Sequence, residues 1–419
     1  MAIIKAFRGY RPLPELVARI ASPPYDVLNS DEAREEVAGN PHSFLHVVKP
    51  EVDLPRDLDP HDPLVYATAR DNFTRLRREG VFFQDDTPCL YLYRQEMDGK
   101  RQTGIVAAAA VSDYFEGHIK KHELTRPDKE EDRMNHVRVA NMNAEPVFFA
   151  YPGVTGLDAL IAQLEETLSP VYDFVTEDGI GHTFWVVDEP ATIDRIVRYF
   201  AEDIPATYVA DGHHRTAAAA LVGQERQKQN PAHTGQEDYN YFLAVHFPDH
   251  QLRIIDYNRV VRDLNGHSAE AFLAALEKSF VLSAQDATYK PDRLHTFGMY
   301  LDGTWYRLEA RPGTYDDNDP IGVLDVTILS EQVLAPLLGI TDLRRDQRID
   351  FVGGIRGLGE LERRVDSGEM RVAFALYPVT MQQLMDIADS GAIMPPKTTW
   401  FEPKLRSGLV VHALGELDQ

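Results

Sequence analysis

The sequence has very little cysteine and a deficit of positive charge. Cys89 is the single cysteine among 419 residues, which excludes an internal disulfide and a cysteine-based zinc cluster. Because this thiol lies in the strand-like apolar run CLYLY, we expect it to be buried and unreactive. Lysine and arginine number 43 and aspartate and glutamate 66, so the net charge is −23. Nucleic-acid phosphates and anionic lipids repel such a chain, which disfavours general DNA coating.

Long hydrophobic runs are also missing. The N-terminal segment lacks the continuous apolar region of a secretory signal, and the longest small apolar stretch, IVAAAAV at 105–111, is much too short to span a bilayer. We therefore expect a soluble cytoplasmic protein. The content of 43% hydrophobic and 26% charged residues is typical of a globular chain, and the length allows two or three domains.

Strand-like and helical patterns alternate along the chain and predict an α/β or α+β fold with mixed sheets. Asp62-Pro63 is a good helix start, and Gly80 predicts the end of that helix. Asp98-Gly99 lies between two strand-like runs and predicts a hairpin. The runs NYFLAVHF and QLRIIDYN predict a second hairpin around Pro248-Asp249.

The strongest local signal is YVADGHHRTAAAA at 208–220. An apolar strand leads into Asp211 and Gly212, and an alanine-rich helix is predicted to begin immediately after His213, His214 and Arg215. The first N–H groups of a helix lack intrahelical partners and, together with the helix dipole, form an anion site. Gly212 has no Cβ to keep a phosphate from the backbone, and the two histidines and Arg215 can add hydrogen bonds. The alternative is an ordinary turn capped by Asp211, with Arg215 solvated.

A second group of polar residues is GHIKKHELTRPDKEEDRMNHVR at 117–138. Pro127 opens a charged helix that we interpret as a solvated helix with i,i+4 ion pairs. The preceding HELTR segment combines His122, Glu123 and Arg126. A carboxylate surrounded by cations stays ionised, so Glu123 can act as a base on a hydroxyl or hold Mg²⁺ against phosphates.

The histidines also allow a zinc site. His118 and His122 are four residues apart, and His213 and His214 can supply further nitrogens. The order HIKKHE differs from the His-Glu-x-x-His pattern of metalloproteases. A zinc hydrolase is therefore a minority alternative.

Five blocks of the sequence resemble one family. In order, they are ASPPYDVLNSDEAREEVAGNPHSFLHVVKPEVDLP, GHIKKHELTRPDKEEDR, YVADGHHRTAAAA, RIDFVGG and MPPKTTWFEPKLRSGL. Together they resemble the family named domain of unknown function 1015 (DUF1015). The resemblance extends over residues 21–409, so it covers essentially the whole chain, although the family name carries little biochemistry.

The ADGHHRTAAA segment also resembles the strand–loop–helix signature of the ParB/sulfiredoxin-like superfamily. In ParB proteins, sulfiredoxins and free-serine kinases this loop holds nucleotide phosphates. The resemblance implies a core of that type, elaborated with additional mixed sheets and helices. It further implies that Gly212, His213, His214 and Arg215 contact phosphate. Sulfiredoxin chemistry is excluded, because position 213 is histidine and not cysteine.

The HELTR segment resembles the upstream box of the same superfamily, in which a glutamate and an arginine face the nucleotide. In the serine kinases that glutamate activates the substrate hydroxyl. The resemblance implies a catalytic role for Glu123, with His122 beside it, and a phosphate contact for Arg126.

These observations favour a phosphotransferase that acts on a small hydroxylated metabolite, with free serine as one candidate. ATP or ADP, or alternatively CTP, is the expected nucleotide, together with Mg²⁺. Asp211 is expected to assist catalysis and to hold the metal, and Lys397, Lys404 or Arg406 to clamp an acceptor carboxylate. Such residue types suit phosphoryl transfer, which needs mainly positioning and charge neutralisation. Two alternatives stay open: a ParB-like regulatory protein that binds and slowly hydrolyses NTP, and a metal-dependent hydrolase.

The motifs suggest a division of the chain into two regions. Residues 1–265 form the predicted nucleotide-binding catalytic region, and residues 266–419 form a C-terminal α/β region. The irregular, proline-rich tail at 394–409 is predicted to return to the site. We expect neither nucleic acid nor a membrane as a partner, and the sequence leaves homo-oligomer formation open.

Overall fold

The computed structural model of the protein describes residues 1–417, which divide into two units. Unit 1 comprises Met1–Leu252 and the segment that begins at Pro403, and unit 2 comprises Arg253–Glu402. Residues 253–265, which the sequence analysis groups with the first region, lie in unit 2. Within residues 1–417 no helix combines the length and the apolar character that a membrane crossing requires.

The strands and helices follow in chain order. The strands are β1 (Ile4–Lys5), β2 (Tyr10–Pro12), β3 (Phe82–Gln84), β4 (Leu90–Met97), β5 (Lys100–Ala110), β6 (Ile119–Lys120), β7 (Met142–Asn143), β8 (Val147–Tyr151), β9 (Tyr172–Val175), β10 (Gly181–Val187), β11 (Thr207–Asp211), β12 (Tyr241–Pro248), β13 (Tyr257–Val261), β14 (Phe280–Gln285), β15 (Thr296–Leu301), β16 (Thr304–Ala310), β17 (Ile349–Gly353), β18 (Val372–Leu376) and β19 (His412–Ala413). The α-helices are α1 (Val17–Ile20), α2 (Ser30–Glu36), α3 (Leu45–Val48), α4 (Pro63–Arg78), α5 (Val111–Glu116), α6 (Pro127–Ala140), α7 (Thr155–Thr167), α8 (Pro190–Asp203), α9 (His213–Gln229), α10 (Ala269–Leu276), α11 (Asp325–Leu329), α12 (Leu358–Asp366) and α13 (Met381–Ser390).

The main sheet of unit 1 has the strand order β6-β11-β8-β12-β5-β4-β10-β9, with β1 paired to β5. β11 runs parallel to β6 and β12 runs parallel to β8, whereas the other neighbours along this order are antiparallel. Asp98 and Gly99 adopt positive φ angles of 52° and 72° and close the β4–β5 hairpin, as the Asp-Gly pair predicts. The fold is therefore a mixed α/β fold, which confirms the predicted class.

Helix α4 forms where the pattern predicts it. The Asp62 side chain accepts a hydrogen bond from the Leu64 N–H, and Pro63 occupies the first turn. Gly80 follows the helix with a φ of 72°. The apolar residues that share one face of this helix are all buried: Val65, Ala69, Phe73 and Leu76.

Helix α9 carries the candidate site and packs closely on the sheet. Its residues Ala217–Ala220 are buried. The hydrophobic cluster that contains Ala219 and Ala220 also contains Val147 and Phe149 of β8 and Phe242 of β12. Small side chains let the helix backbone approach the strands. The start of α9 thus lies directly after the end of β11.

Unit 2 contains an antiparallel sheet with the order β14-β16-β15-β18-β13-β17. The predicted hairpin around Pro248-Asp249 is wrong. Strand β12 pairs with β5 and β8 in unit 1, whereas β13 pairs with β17 and β18 in unit 2. Two neighbouring strand-like runs suggest a hairpin, but the residues between them form a 3₁₀ turn at Asp249–Gln251 and an extended segment.

Candidate functional site

The turn between β11 and α9 is built around Gly212. This residue has a φ of 88°, a left-handed conformation that favours glycine, and α9 begins at His213. No side chain caps the start of this 17-residue helix. Its first amides therefore form the kind of helix start that favours an anion.

Asp211 lies between two cations at the end of β11. Its Oδ1 is 3.1 Å from the Lys404 Nζ, and its Oδ2 accepts a 3.1 Å hydrogen bond from Arg215. Burial would raise the pKa of Asp211, but the charges of Lys404 and Arg215 outweigh burial and keep this pKa below its usual value. Asp211 is thus an ionised carboxylate that joins the tail to α9.

Arg215 points into the protein. Its guanidinium donates a 2.8 Å hydrogen bond to the Pro146 carbonyl and a second to Asp211, and it is 7% exposed. The guanidinium also lies against Gly212, where a Cβ would be 3.1 Å from the Arg215 Nε. Burial disfavours the charged form, but Glu145, Asp26 and Asp211 raise the pKa of Arg215 above its usual value. The charge that the sequence suggests for phosphate binding is therefore engaged within the fold.

His213 and His122 are buried next to each other. Their ring centroids are 4.5 Å apart with perpendicular planes. Burial, with a smaller effect from His122, lowers the pKa of His213 well below its usual value, and burial lowers the pKa of His122 to about 4. Both imidazoles are neutral at neutral pH, so they offer hydrogen-bonding groups and not positive charge. The His213 Nε2 is buried and has no hydrogen-bond partner among the described residues.

The HELTR segment meets the start of α9, although the two are about 90 residues apart in the sequence. The Glu123 Oε2 is 3.9 Å from the His213 Nδ1. The His214 Nε2 accepts a 3.0 Å hydrogen bond from the backbone N–H of Arg126. A neutral His214 consequently carries its proton on Nδ1. The Arg126 side chain pairs with Asp128 at 2.7 Å, at the exposed start of α6.

Sequence reasoning missed the carboxylate behind Arg215. Glu145 is 8% exposed, and one of its oxygens accepts a 2.9 Å hydrogen bond from the Tyr25 N–H. The other oxygen is 3.8 Å from Arg133, whose guanidinium lies 3.9 Å from the centre of the Tyr25 ring. Burial raises the pKa of Glu145 despite the two arginines nearby. The sequence holds no local signal for this role, because a glutamate before a strand is ordinary and the burial of Glu145 depends on contacts with Tyr25 and Arg133 elsewhere in the chain.

The three cations of the tail lie in different environments. Lys404 pairs with Asp211, whereas Arg406 pairs with Asp178 in the turn between β9 and β10. Lys397 belongs to unit 2, where its Nζ lies 5.7 Å from the centre of the Tyr257 ring. A shared role of Lys397, Lys404 and Arg406 in clamping one carboxylate stays a prediction.

The predicted metal role of Asp211 does not fit its surroundings. Both oxygens contact cations, so the charge that would attract a metal is already balanced. Across residues 1–417 no three His, Cys, Asp or Glu side chains are grouped as a metal site requires. The four histidines considered for zinc thus form no such group in the described part of the chain.

Comparison with known proteins identifies the family and similar structures. A conserved hypothetical protein from Pyrococcus furiosus is 13% identical, with a TM-score of 0.33 over 73% of this chain and 93% of that one. A free serine kinase in complex with AMP is 14% identical, with a TM-score of 0.32 over 71% and 86% of the chains. A truncated SbnI from Staphylococcus aureus is 11% identical, with a TM-score of 0.32 over 75% and 90%.

The search of curated proteins found no significant match. The model of the family described as protein of unknown function, DUF1015, matches residues 4–327. This match covers well over half of the chain and includes both the HELTR segment and the turn at Gly212. The protein is a member of the DUF1015 family.

Proposed function

We propose that the chain binds ATP or ADP with its phosphates at the start of α9 and transfers a phosphoryl group to the hydroxyl of a small metabolite. The observation that carries the proposal is the uncapped start of α9 at Gly212, together with the buried His213 Nε2 that has no partner among the described residues. Helix amides and the N–H of a neutral imidazole donate hydrogen bonds, and phosphate oxygens accept them.

Glu123 is the base in this proposal. Its carboxylate lies 3.9 Å from His213 and is 43% exposed, so an acceptor hydroxyl can approach it from solvent. The hydroxyl oxygen attacks the terminal phosphorus, Glu123 accepts the hydroxyl proton, and the bond from that phosphorus to the bridging oxygen breaks. ATP then leaves as ADP, or ADP as AMP. Lys404 and Arg215 fix Asp211, which holds the end of β11 against α9.

Mg²⁺ would accompany the nucleotide phosphates in such a reaction, since this ion keeps several waters and takes few protein ligands. Asp211 is not a suitable ligand, because Lys404 and Arg215 occupy its two oxygens. We assign no step to a metal bound by this chain.

The test is turnover with a mixture of hydroxylated metabolites. The full-length protein is incubated with ATP or ADP, and ³¹P NMR and mass spectrometry detect a phosphorylated product. Glu123→Gln should bind nucleotide with unchanged affinity and should lower turnover by about 10²- to 10⁴-fold, the usual contribution of a general base.

A matched control is Glu166→Gln, which removes the same charge from an exposed position on α7 and should leave turnover unchanged. Nucleotide binding without any phosphorylated product would favour the NTP-binding regulatory alternative. An absence of nucleotide binding in the wild-type chain would overturn the proposal.

A further inference from the structure

Unit 2 contains a buried arginine, Arg259, on its sheet. Arg259 and Tyr257 share one face of β13, and Arg259 pairs across the sheet with Phe351 of β17. Arg259 is 1% exposed, and its guanidinium carbon lies 5.1 Å from the centre of the Phe351 ring. A charged side chain is rarely so completely buried unless an opposite charge pairs with it.

No carboxylate within residues 1–417 forms an ion pair with Arg259. Its guanidinium donates to two backbone carbonyls, those of Tyr257 and of Lys397, the second at 2.9 Å. Burial lowers the pKa of Arg259 to about 10, so the group is still charged at neutral pH. The described fold therefore leaves a positive charge in its interior without a compensating negative charge.

A second cation and two aromatic rings surround the same place. The Lys397 Nζ lies 5.7 Å from the centre of the Tyr257 ring, and Lys397 itself is exposed. The Trp400 ring meets Tyr257 edge to face at 4.9 Å and lies against Gly353, where a Cβ would be 3.2 Å from the ring. The segment from Lys397 to Trp400 thus covers this face of β13 without forming a helix or strand.

A cavity of unit 2 also borders Tyr257. Asp325, Tyr377, Gln383 and Thr398 line this cavity as well. Asp325 is 3% exposed, and its Oδ1 accepts a 2.8 Å hydrogen bond from the His295 N–H. Its Oδ2 is buried and has no partner among the described residues. Tyr257 thus lines the same cavity as Asp325, and the centre of its ring is 6.0 Å from the Arg259 guanidinium carbon.

We propose that unit 2 binds a small oxyanion. The anionic oxygens bind Arg259 and Lys397 and supply the charge that the described fold lacks. Because Arg259 is covered, the segment 394–402 must move for the ligand to enter. The proposal is independent of phosphoryl transfer in unit 1.

Hydrogen exchange of the intact protein, followed by mass spectrometry of peptides, tests this site. The probes are glycolate, a hydroxylated carboxylate, and inorganic phosphate, each compared with chloride at equal ionic strength. The anion is added at a concentration of about ten times its Kd. It should then lower about tenfold the rate of amide exchange that requires the site to open, measured in peptides from 257–261 and 394–402. Protection by glycolate alone assigns the site to carboxylates, and protection by phosphate alone assigns it to phosphate compounds.

Two variants keep the test independent of folding. Arg259→Met should abolish the anion-dependent protection. Lys397→Gln changes an exposed side chain, so it should fold normally and weaken the protection several-fold, whereas the matched control Lys278→Gln should retain it. Protection confined to peptides around 211–216, no protection at all, or equal protection in wild type and Lys397→Gln would overturn the proposal.

Discussion

Buried arginines in the two units have different partners: Arg215 in unit 1 contacts a carboxylate, and Arg259 in unit 2 contacts backbone carbonyls. In unit 1, Asp211 contacts both Lys404 and Arg215. Glu145 lies 3.8 Å from Arg133, and its charge raises the pKa of Arg215. In unit 2, Arg259 has backbone carbonyls as its only hydrogen-bond partners within residues 1–417. Buried charges that are paired with opposite charges fix the geometry of a site. A buried charge without such a pair can still bind an ion of opposite charge.

The largest effect should come from breaking the network of unit 1. Arg215→Met removes the cation near Asp211 and Glu145 and should lower the free energy of unfolding by about 3–5 kcal/mol, because the buried Glu145 loses a nearby opposite charge and Asp211 loses one of its two cationic partners. Urea denaturation measures this change. Arg195→Met, on the exposed surface of α8, is the control and should be nearly neutral. A loss below about 1 kcal/mol would show that Arg215 is not part of a tightly coupled network.

Asp325 should make the stability of unit 2 depend on pH. Burial raises its pKa from 3.8 to about 7, so between these values the folded state holds a proton that the unfolded chain has lost. The contribution of Asp325 to the free energy of unfolding is fully present below about pH 4 and decreases as the pH rises toward 7. The decrease between pH 5 and pH 7 is about 2–3 kcal/mol.

Asp325→Asn cannot ionise and should remove this component of the pH dependence, measured by denaturation at a series of pH values. Asp292→Asn, at an exposed position of unit 2, should keep it. The same slope in Asp325→Asn and wild type would mean that Asp325 is ionised in the folded protein.

A smaller effect is expected for the tail contact of unit 1. Because the folded-state pKa of Asp211 is lowered, its ionised form stabilises the protein above pH 3.8, and this contribution is lost as the pH falls. Lys404→Met should cost about 1 kcal/mol, typical of a partly exposed pair, and should shift acid unfolding to higher pH. Circular dichroism during acid titration measures the shift, with Lys100→Met as the exposed control.

The smallest expected change in stability is that of Arg259→Met, and it distinguishes most clearly between the buried arginines of the two units. Arg259→Met removes an unpaired buried charge but leaves two carbonyls without a donor, so stability without ligand should stay within about 1 kcal/mol of wild type. Arg356→Met, at an exposed position, provides the comparison. A loss as large as that of Arg215→Met would indicate that Arg259 acts as a structural clamp on the segment 394–402.

Local features of the candidate site could be predicted from the sequence because they depend on neighbouring residues. The strand that leads into Asp211, the turn at Gly212 and the alanine-rich helix behind it follow from adjacent residue types, although α9 begins at His213, three residues before the predicted start. The hairpin at Asp98-Gly99 and the helix start at Asp62-Pro63 follow in the same way.

The hairpin predicted at Pro248-Asp249 is wrong because the pairing of strands does not depend on neighbouring residues alone. Periodicity identified NYFLAVHF as a strand, and β12 is indeed one, but periodicity does not choose the strand that pairs with it. Pairing depends on which apolar faces can be buried together, and β5 and β8 provide that surface for β12.

The elements around Gly212, the acidic balance of the chain and the presence of histidines and an arginine at one helix start can be read from the residues alone. The neutral state of His213, the contacts of Arg215 inside unit 1 and the contact between Lys404 and Asp211 are known only from the fold. They depend on the fold because the protonation and availability of a charged group are set by its burial and by partners far away in the chain. Residue type and local spacing do not contain that information.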